Sequence, residues 1–221
     1  MRTVWLRDNS TALSHPRRTV LCVASMTAPT LDTDDTPLLT WAQFLDLDYE
    51  TRNTDLVDGR MYVNSPGPVH EHVLGRLIVL FDQWAGAADA GAATGEVSTQ
   101  QPIGITVNRG YMPDLAWWPE SQCADNDGLL AFEGLPGMVL EVLSPSTRAF
   151  DLVRKRNDYE RIGIAEFWVI DPVTRTAILH RRSGPGSPAY DEVTEIEADG
   201  DISSPLLPGF TAPIAALFRR R

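Results

Sequence analysis

The segment that most constrains the fold is MVLEVL, residues 138–143, a short apolar run with turn-forming residues on both sides. Runs of this kind are typical of a central strand that is covered on both faces. Alternation along a strand places Val139, Glu141 and Leu143 on one face. Glutamate is rarely fully buried, and burying its charge is costly unless it is protonated, paired or bound to metal. Glu141 is therefore predicted to have a metal-binding or catalytic role, with a structural ion pair as the alternative.

The segment that follows predicts a helix with a polar face. Its SPST sequence supplies hydroxyls that accept hydrogen bonds from the first free backbone amides of a helix. Asp151, Lys155 and Tyr159 then recur every four residues, so they share a face with neighbours roughly 6 Å apart. An ordinary exposed pair between Asp151 and Lys155 is the alternative interpretation.

Lys155 is the only lysine in a chain of 221 residues that contains eighteen arginines. Arginine and lysine serve about equally on a solvated surface, so a single lysine indicates a position that needs a compact, flexible ammonium. A site that cleaves phosphodiesters is one such position, because an ammonium beside bound metal can orient water or steady the charge that develops on phosphate. Chance retention of one lysine is the alternative.

The charge of the chain restricts how it could contact nucleic acid. The formal net charge is -11 and the pI is about 4.7, which oppose general attraction to a phosphate backbone. Arg148, Arg154, Arg156 and Arg161 lie in or beside the predicted helix, and we expect them to form a local basic patch. Any contact with DNA is therefore expected to be local, metal-assisted or confined to such a patch.

The N-terminal half predicts two helices and a hairpin. Thr40 is a plausible N-cap for a short helix with Trp41, Phe44 and Leu45 on one face. Asp-Gly between two short apolar runs at 58–59 predicts a β-hairpin. A long helix is expected to begin near Pro68. Its predicted core face consists of Val73, Leu74, Leu77, Ile78 and Phe81, and His70 should point inward.

Two strands are predicted next, EVSTQQPIGITVN and YMPDLAWWPE, joined by a turn at residues 108–110. Pro113 removes a backbone donor and so marks an edge or the start of a strand. Asp114 follows it directly into an apolar run, where a carboxylate needs a partner. A turn-capping role is the alternative for Asp114.

Length and composition suit a single globular domain over residues 37–221, since 43% hydrophobic and 22% charged residues are ordinary values. Residues 1–36 lack periodicity and are expected to be a disordered or mis-assigned extension. Cys22 and Cys123 match no zinc spacing and are interpreted as free thiols of a reducing cytoplasm. No run approaches the roughly 18 apolar residues of a membrane span.

The PD at 113–114, EVLSPST at 141–147, and the helical Asp151, Lys155 and Tyr159 together resemble the Uma2 family of restriction endonucleases. That family is a branch of the PD-(D/E)xK nuclease superfamily, and the likeness runs from about Thr40 to Phe218. The resemblance implies an α/β, restriction-endonuclease-like fold with a mixed central β-sheet flanked by helices. It also implies one or two divalent metal ions and hydrolysis of DNA phosphodiester bonds.

By motif, the resemblance assigns Asp114 and Glu141 as ligands of Mg²⁺, with Mn²⁺ also possible. A strict motif would place lysine at position 143, which is Leu143 here, so Lys155 in the following helix is the available substitute. On this assignment Asp114, Glu141 and Lys155 are the catalytic residues. DNA is the expected partner, and cutting of both strands would favour a homodimer.

Three further residues are expected to support the site. Asp151 should hold Lys155, and Tyr159 should pack or hydrogen-bond beneath it. His70 occupies a region in which the superfamily often has an acidic residue, and contact with metal, with phosphate or only with the core stays open. The alternative for the whole chain is a catalytically weak or inactive module that binds nucleic acid or protein on the same fold.

Overall fold

A computed structural model describes residues 37–47, 53–87, 95–126, 129–145 and 147–219. The predicted extension at residues 1–36 lies outside the described residues, as does Cys22. Cys123 is a free thiol. In the described part of the chain, no helix has the length and apolar character needed to cross a membrane.

The described helices are short except for one. The α-helices are α1 Trp41–Leu45, α2 Pro68–Ala87, α3 Arg156–Ile162 and α4 Ile214–Leu217, with a 3₁₀ turn at Glu120–Gln122 and a π-helix at Phe150–Lys155. The strands are β1 Thr54–Val57, β2 Arg60–Val63, β3 Gly95–Ser98, β4 Ile103–Thr106, β5 Arg109–Tyr111, β6 Leu115–Pro119, β7 Cys123–Asn126, β8 Leu129–Phe132, β9 Met138–Val142, β10 Glu166–Asp171, β11 Thr176–Arg181, β12 Glu192–Ile196, β13 Asp201–Ser203 and β14 Thr211–Pro213.

A six-stranded sheet of order β12-β11-β10-β9-β6-β3 forms the centre of the fold. Strands β9 and β10 are parallel, and the other neighbouring pairs are antiparallel. The predicted mixed sheet is therefore confirmed, and β9 lies inside it with all five residues buried.

The two faces of β9 belong to different cores, as its alternation predicts. Met138, Leu140 and Val142 pack in the core that includes α2 and the C-terminal segment. Val139 and Leu143 pack in the second core, which also contains residues of α3 and β10. Glu141 lies on the second face and is only 3% exposed.

A second sheet has four strands, in the order β2-β1-β5-β4, and contains the predicted hairpin. Strands β1 and β2 pair antiparallel through Asp58 and Gly59. Both turn residues have positive φ, 51° and 81°, which is the backbone that a two-residue hairpin of this type requires.

Four local predictions were wrong. Leu45 and Ile78, expected in the core, are 46% and 40% exposed, because α1 and α2 bury narrower faces than assumed. The run at 96–108, predicted as one strand, divides between β3 and β4 in different sheets, with Gln100 at φ 54° between them. The turn before β5 lies at residues 107–108, because Arg109 already pairs with Thr106.

The helix after β9 begins as a π-helix, which the four-residue spacing did not predict. The backbone N–H of Arg156 donates to the carbonyl of Asp151, five residues earlier. Such one-turn insertions are rare and occur frequently at functional sites. The helix then continues as regular α3 and ends at Gly163, whose φ of 99° suits glycine.

Candidate active site

Asp114 and Glu141 meet at one end of the central sheet. In the antiparallel pairing of β6 with β9, Leu115 lies opposite Leu140, and the same register continued by one residue places Asp114 opposite Glu141. The backbone N–H of Val142 donates to Asp114 Oδ2 at 2.8 Å. Asp114, the carboxylate predicted to need a partner, is therefore hydrogen-bonded to β9, the strand that carries Glu141.

Lys155 reaches back from the helix to this end of the sheet and is surrounded by carboxylates. Its Nζ lies 2.9 Å from Glu141 Oε1, 3.2 Å from Asp55 Oδ2 and 3.4 Å from Asp151 Oδ1. All four side chains are at most 4% exposed, so the pair of Asp151 and Lys155 is not an ordinary surface pair. We call these four residues the lysine cluster.

Aromatic side chains contact the Glu141 carboxylate and the Lys155 ammonium of the lysine cluster. Tyr159 donates its hydroxyl to Glu141 Oε1 at 3.1 Å, and it is fully buried. The ammonium of Lys155 lies 5.5 Å from the centre of the Tyr111 ring and 6.0 Å from that of Phe150. Attraction between the ammonium and the electron-rich ring faces adds to the ion pairs.

His70 contacts Asp114 rather than the apolar core alone. Its Nε2 lies 2.9 Å from Asp114 Oδ2, and the residue is 8% exposed. Burial alone would lower the pKa of His70, but the hydrogen bond and charge of Asp114 outweigh it, and the pKa is raised. The inward direction predicted for His70 is confirmed, and its side chain holds the Asp114 carboxylate.

Asp55 is a site residue that the sequence analysis missed. It lies on β1, is 1% exposed, and accepts hydrogen bonds from Met112 N at 2.9 Å and Asn64 Nδ2 at 3.0 Å. One signal was available: Asp55 stands beside the apolar run of a hairpin strand, where a carboxylate needs a partner just as Glu141 does. Nothing in the sequence indicated that its partner would be Lys155.

The electrostatics of the lysine cluster follow from its surplus of carboxylates. Burial raises the pKa of Glu141 well above its usual range, and the charge of Lys155 offsets this only in part. Burial likewise raises the pKa of Asp151. Burial alone would lower the pKa of Lys155, but Asp55, Glu141 and Asp151 outweigh it, and the pKa is raised. The ammonium is therefore held charged, while the carboxylates exceed what one cation can neutralise.

A small solvent-open cleft lies in front of these residues. Asp114, Asp151, His70 and Lys155 contribute to its lining, and Glu141 lies behind Lys155. The rest of the polar lining is uncharged and consists of Asn53, Asn64, Ser65, Gln100, Ser144 and Thr147. The charged chemistry of the cleft is thus concentrated at its inner end.

The predicted basic patch is not a free cationic surface. Each of its four arginines forms an ion pair with a carboxylate: Arg148 with Asp171, Arg154 with Asp58, Arg156 with Glu160 and Arg161 with Asp158. Asp171 and Asp58 come from distant parts of the chain, which the sequence did not indicate, whereas Glu160 and Asp158 lie one helical turn from their arginines and the prediction overlooked them. The arginine side chains are 26% to 55% exposed but already neutralised.

The donor atoms suit a hard divalent cation held by few protein ligands. Within the described residues, no group of three or more His, Cys, Asp or Glu side chains is arranged to hold a metal ion. Mg²⁺, however, usually binds through one or two carboxylates and keeps several waters. Asp114 lines the cleft and Glu141 lies opposite it on β9, and these two carboxylates fit that lower requirement.

The mixed sheet, with its paired carboxylates at one end, defines the class: this is a protein of restriction-endonuclease-like fold. A solved structure shares that fold, the crystal structure of a "putative nuclease belonging to DUF820" from Anabaena variabilis. It matches with a TM-score of 0.66 and 17% identity, over 81% of this chain and 97% of the other.

The chain belongs to the Uma2 family, described as "Putative restriction endonuclease", whose profile matches residues 41–215. The resemblance drawn from the motifs is thereby confirmed. No curated protein matches the chain significantly.

Proposed function

We propose that this protein is a divalent-metal-dependent endonuclease that hydrolyses phosphodiester bonds in DNA. The observation that carries the proposal is the position of the Lys155 ammonium, 2.9 Å from Glu141 and at the inner end of the cleft that Asp114 lines. Membership of the Uma2 family supports the same reaction class.

In this proposal Asp114 and Glu141 hold Mg²⁺, or Mn²⁺ in its place. Both hydrogen bonds to Asp114, from Val142 N and His70, converge on Oδ2, which leaves Oδ1 as the atom directed to a ligand. When bound, the ion would lower the pKa of a water molecule and polarise the scissile phosphate. Glu141 must lose any proton it carries before it can act as a ligand.

The protein's own groups orient the reactants and stabilise charge. Lys155 faces the cleft with a charged ammonium that can hold the attacking water or stabilise the charge developing on phosphate. Asp151 and Tyr159 keep Lys155 and Glu141 in place, and His70 does the same for Asp114. The neutral amides and hydroxyls at the cleft wall suit hydrogen bonding to sugar and phosphate oxygens.

The first test is cleavage of supercoiled plasmid and of single-stranded DNA with Mg²⁺ or Mn²⁺. Wild type is compared with Asp114→Ala and Lys155→Ala, prepared identically. Cleavage that needs the metal and is lost in both variants supports the proposal. Binding of Mg²⁺, measured by calorimetry, should be lost in Asp114→Ala and kept in Lys155→Ala.

The second candidate is a catalytically inactive module that binds nucleic acid or protein on the same fold. The net charge of -11 and the pairing of all four arginines around the helix favour it. If the wild-type protein binds no divalent cation and cleaves neither supercoiled plasmid nor single-stranded DNA, this second candidate is favoured over the nuclease.

We further propose a homodimer as the form that cuts both strands, because each strand then meets its own active site. Light scattering of the wild-type protein, alone and with DNA, tests this. A monomer that nevertheless linearises plasmid in one binding event would contradict it.

A further inference from the structure

Asp55 joins the small sheet to the lysine cluster. It lies on β1, in the four-stranded sheet, whereas Asp114 and Glu141 belong to the six-stranded sheet. Its carboxylate nevertheless reaches within 3.2 Å of Lys155 Nζ. Asp55 lies outside the PD and EVLSPST motifs, so the motif comparison assigns it no role.

Both oxygens of the Asp55 carboxylate are in use. Oδ1 accepts from the backbone N–H of Met112, two residues before Asp114. Oδ2 accepts from Asn64 Nδ2 and faces Lys155. One carboxylate therefore connects the backbone that leads to Asp114, the cleft wall at Asn64 and the ammonium.

Asp151, the partner expected from the sequence, holds Lys155 less firmly. Its Oδ1 is 3.4 Å from Nζ and makes no hydrogen bond in the described part of the chain. Asp151 lies on the same helical segment as Lys155, so a contact between them does not fix the lysine side chain relative to the two sheets. Asp55, by contrast, is anchored on a fully buried strand.

We propose that Asp55 is a positioning residue that fixes the direction of the Lys155 side chain, so that its ammonium stays between Glu141 and the cleft. This role deepens the proposed nuclease function and rests on it for its catalytic meaning. It makes the β1–β2 hairpin part of the working site, because the hairpin supplies both Asp55 and its partner Asn64.

The single lysine gives a direct measurement of this role. Protein grown with lysine labelled with ¹³C yields one ε-methylene signal, that of Lys155. The two ε protons have separate shifts when the side chain is held in one orientation and merge when it rotates freely. In Asp55→Asn we expect the separation to be lost and kcat to fall by about 10- to 100-fold, as for other residues that orient catalytic groups, with KM nearly unchanged.

Glu166→Gln is the matched control. Glu166 is also a buried carboxylate, 2% exposed, with hydrogen bonds from Trp168 and Ser204 and an ion pair with Arg181. Its substitution should cost comparable stability but leave the Lys155 signal and kcat as in wild type. Asn64→Ala removes one bond to Asp55 and should reduce the proton separation partially, which provides a test if Asp55→Asn does not fold.

The outcomes separate the two proposals. Folded Asp55→Asn with a wild-type Lys155 signal would overturn the positioning role, and so would an unfolded Asp55→Asn together with an unchanged signal in Asn64→Ala. The signal is measured without substrate, so it does not depend on cleavage. If wild type cleaves no DNA while Asp55→Asn loses the separation, the proposed function fails and the positioning of Lys155 by Asp55 stands.

Discussion

A buried group of ion pairs and an exposed ion pair in this protein use similar residues in opposite surroundings. In the lysine cluster one ammonium meets three carboxylates, all at most 4% exposed. On the outer side of the same helical segment, Arg154 pairs with Asp58, and the two side chains are 41% and 52% exposed. We call this the surface pair. In the cluster, buried carboxylates outnumber the one cation and water screens them little, whereas water screens both charges of the surface pair.

The strongest test of this contrast concerns Asp114 and Glu141, the two carboxylates that we propose as metal ligands. Asp114→Asn and Glu141→Gln should each reduce plasmid cleavage by a factor of about 10³ or more, equivalent to about 4 kcal/mol of transition-state stabilisation. Asp58→Asn, which removes an exposed carboxylate from the surface pair, is the control and should cleave normally. Substantial cleavage by Glu141→Gln would remove the central role that we assign to the cluster.

Stability should show the same contrast at Lys155. Lys155→Ala leaves buried carboxylates without their cation, so the free energy of unfolding should fall by about 3–5 kcal/mol. Urea denaturation followed by circular dichroism measures this difference. A loss below about 1 kcal/mol would mean that the cluster behaves like the surface pair.

Lys155→Arg sharpens the test, since it keeps the charge. Guanidinium is planar and larger than ammonium, so it should fit the closed cluster poorly and reduce cleavage. Retention of full cleavage by this variant would show that the single lysine reflects chance rather than need.

Stabilisation by Mg²⁺ should increase with pH. A carboxyl whose pKa is raised in the folded protein, as for Glu141 and Asp151, favours folding at low pH and loses that contribution as pH rises through its folded pKa. The metal binds the deprotonated form, so its affinity rises over the same window, which begins above the ordinary carboxyl value near 4. The increase in Tm on adding Mg²⁺ should be greater at pH 8 than at pH 4.5, since each tenfold gain in affinity adds about 1.4 kcal/mol of stabilisation. An equal increase at both pH values contradicts this.

The smallest effect is expected at the surface pair. Arg154→Ala should change the free energy of unfolding by about 0.2–1 kcal/mol, less in high salt, and leave cleavage intact. Chemical denaturation at low and high salt provides the measurement. A salt-independent loss of several kcal/mol would show that the cluster and the surface pair do not differ as described.

The sequence predicted the part of the site that depends on local pattern. Alternation in β9 predicted the face of Glu141, and the four-residue spacing brought Asp151, Lys155 and Tyr159 together. The contact between Asp55 and Lys155 could not be predicted, because it depends on how the four-stranded sheet packs against the helical segment that follows β9. Two of the arginine pairs were missed for the same reason, because Asp58 and Asp171 lie on distant parts of the chain.

Because of the π-helix at Phe150–Lys155, the site depends on the number of residues per helical turn as well as on which side chains are present. The π-helix accommodates one additional residue per turn relative to the α-helix that follows. If the same residues formed a regular α-helix, every later side chain would be turned by up to about 100° relative to the residues before Phe150. A change that favoured regular α-helix there would therefore separate Tyr159 from Glu141 while leaving every charged group of the cluster present.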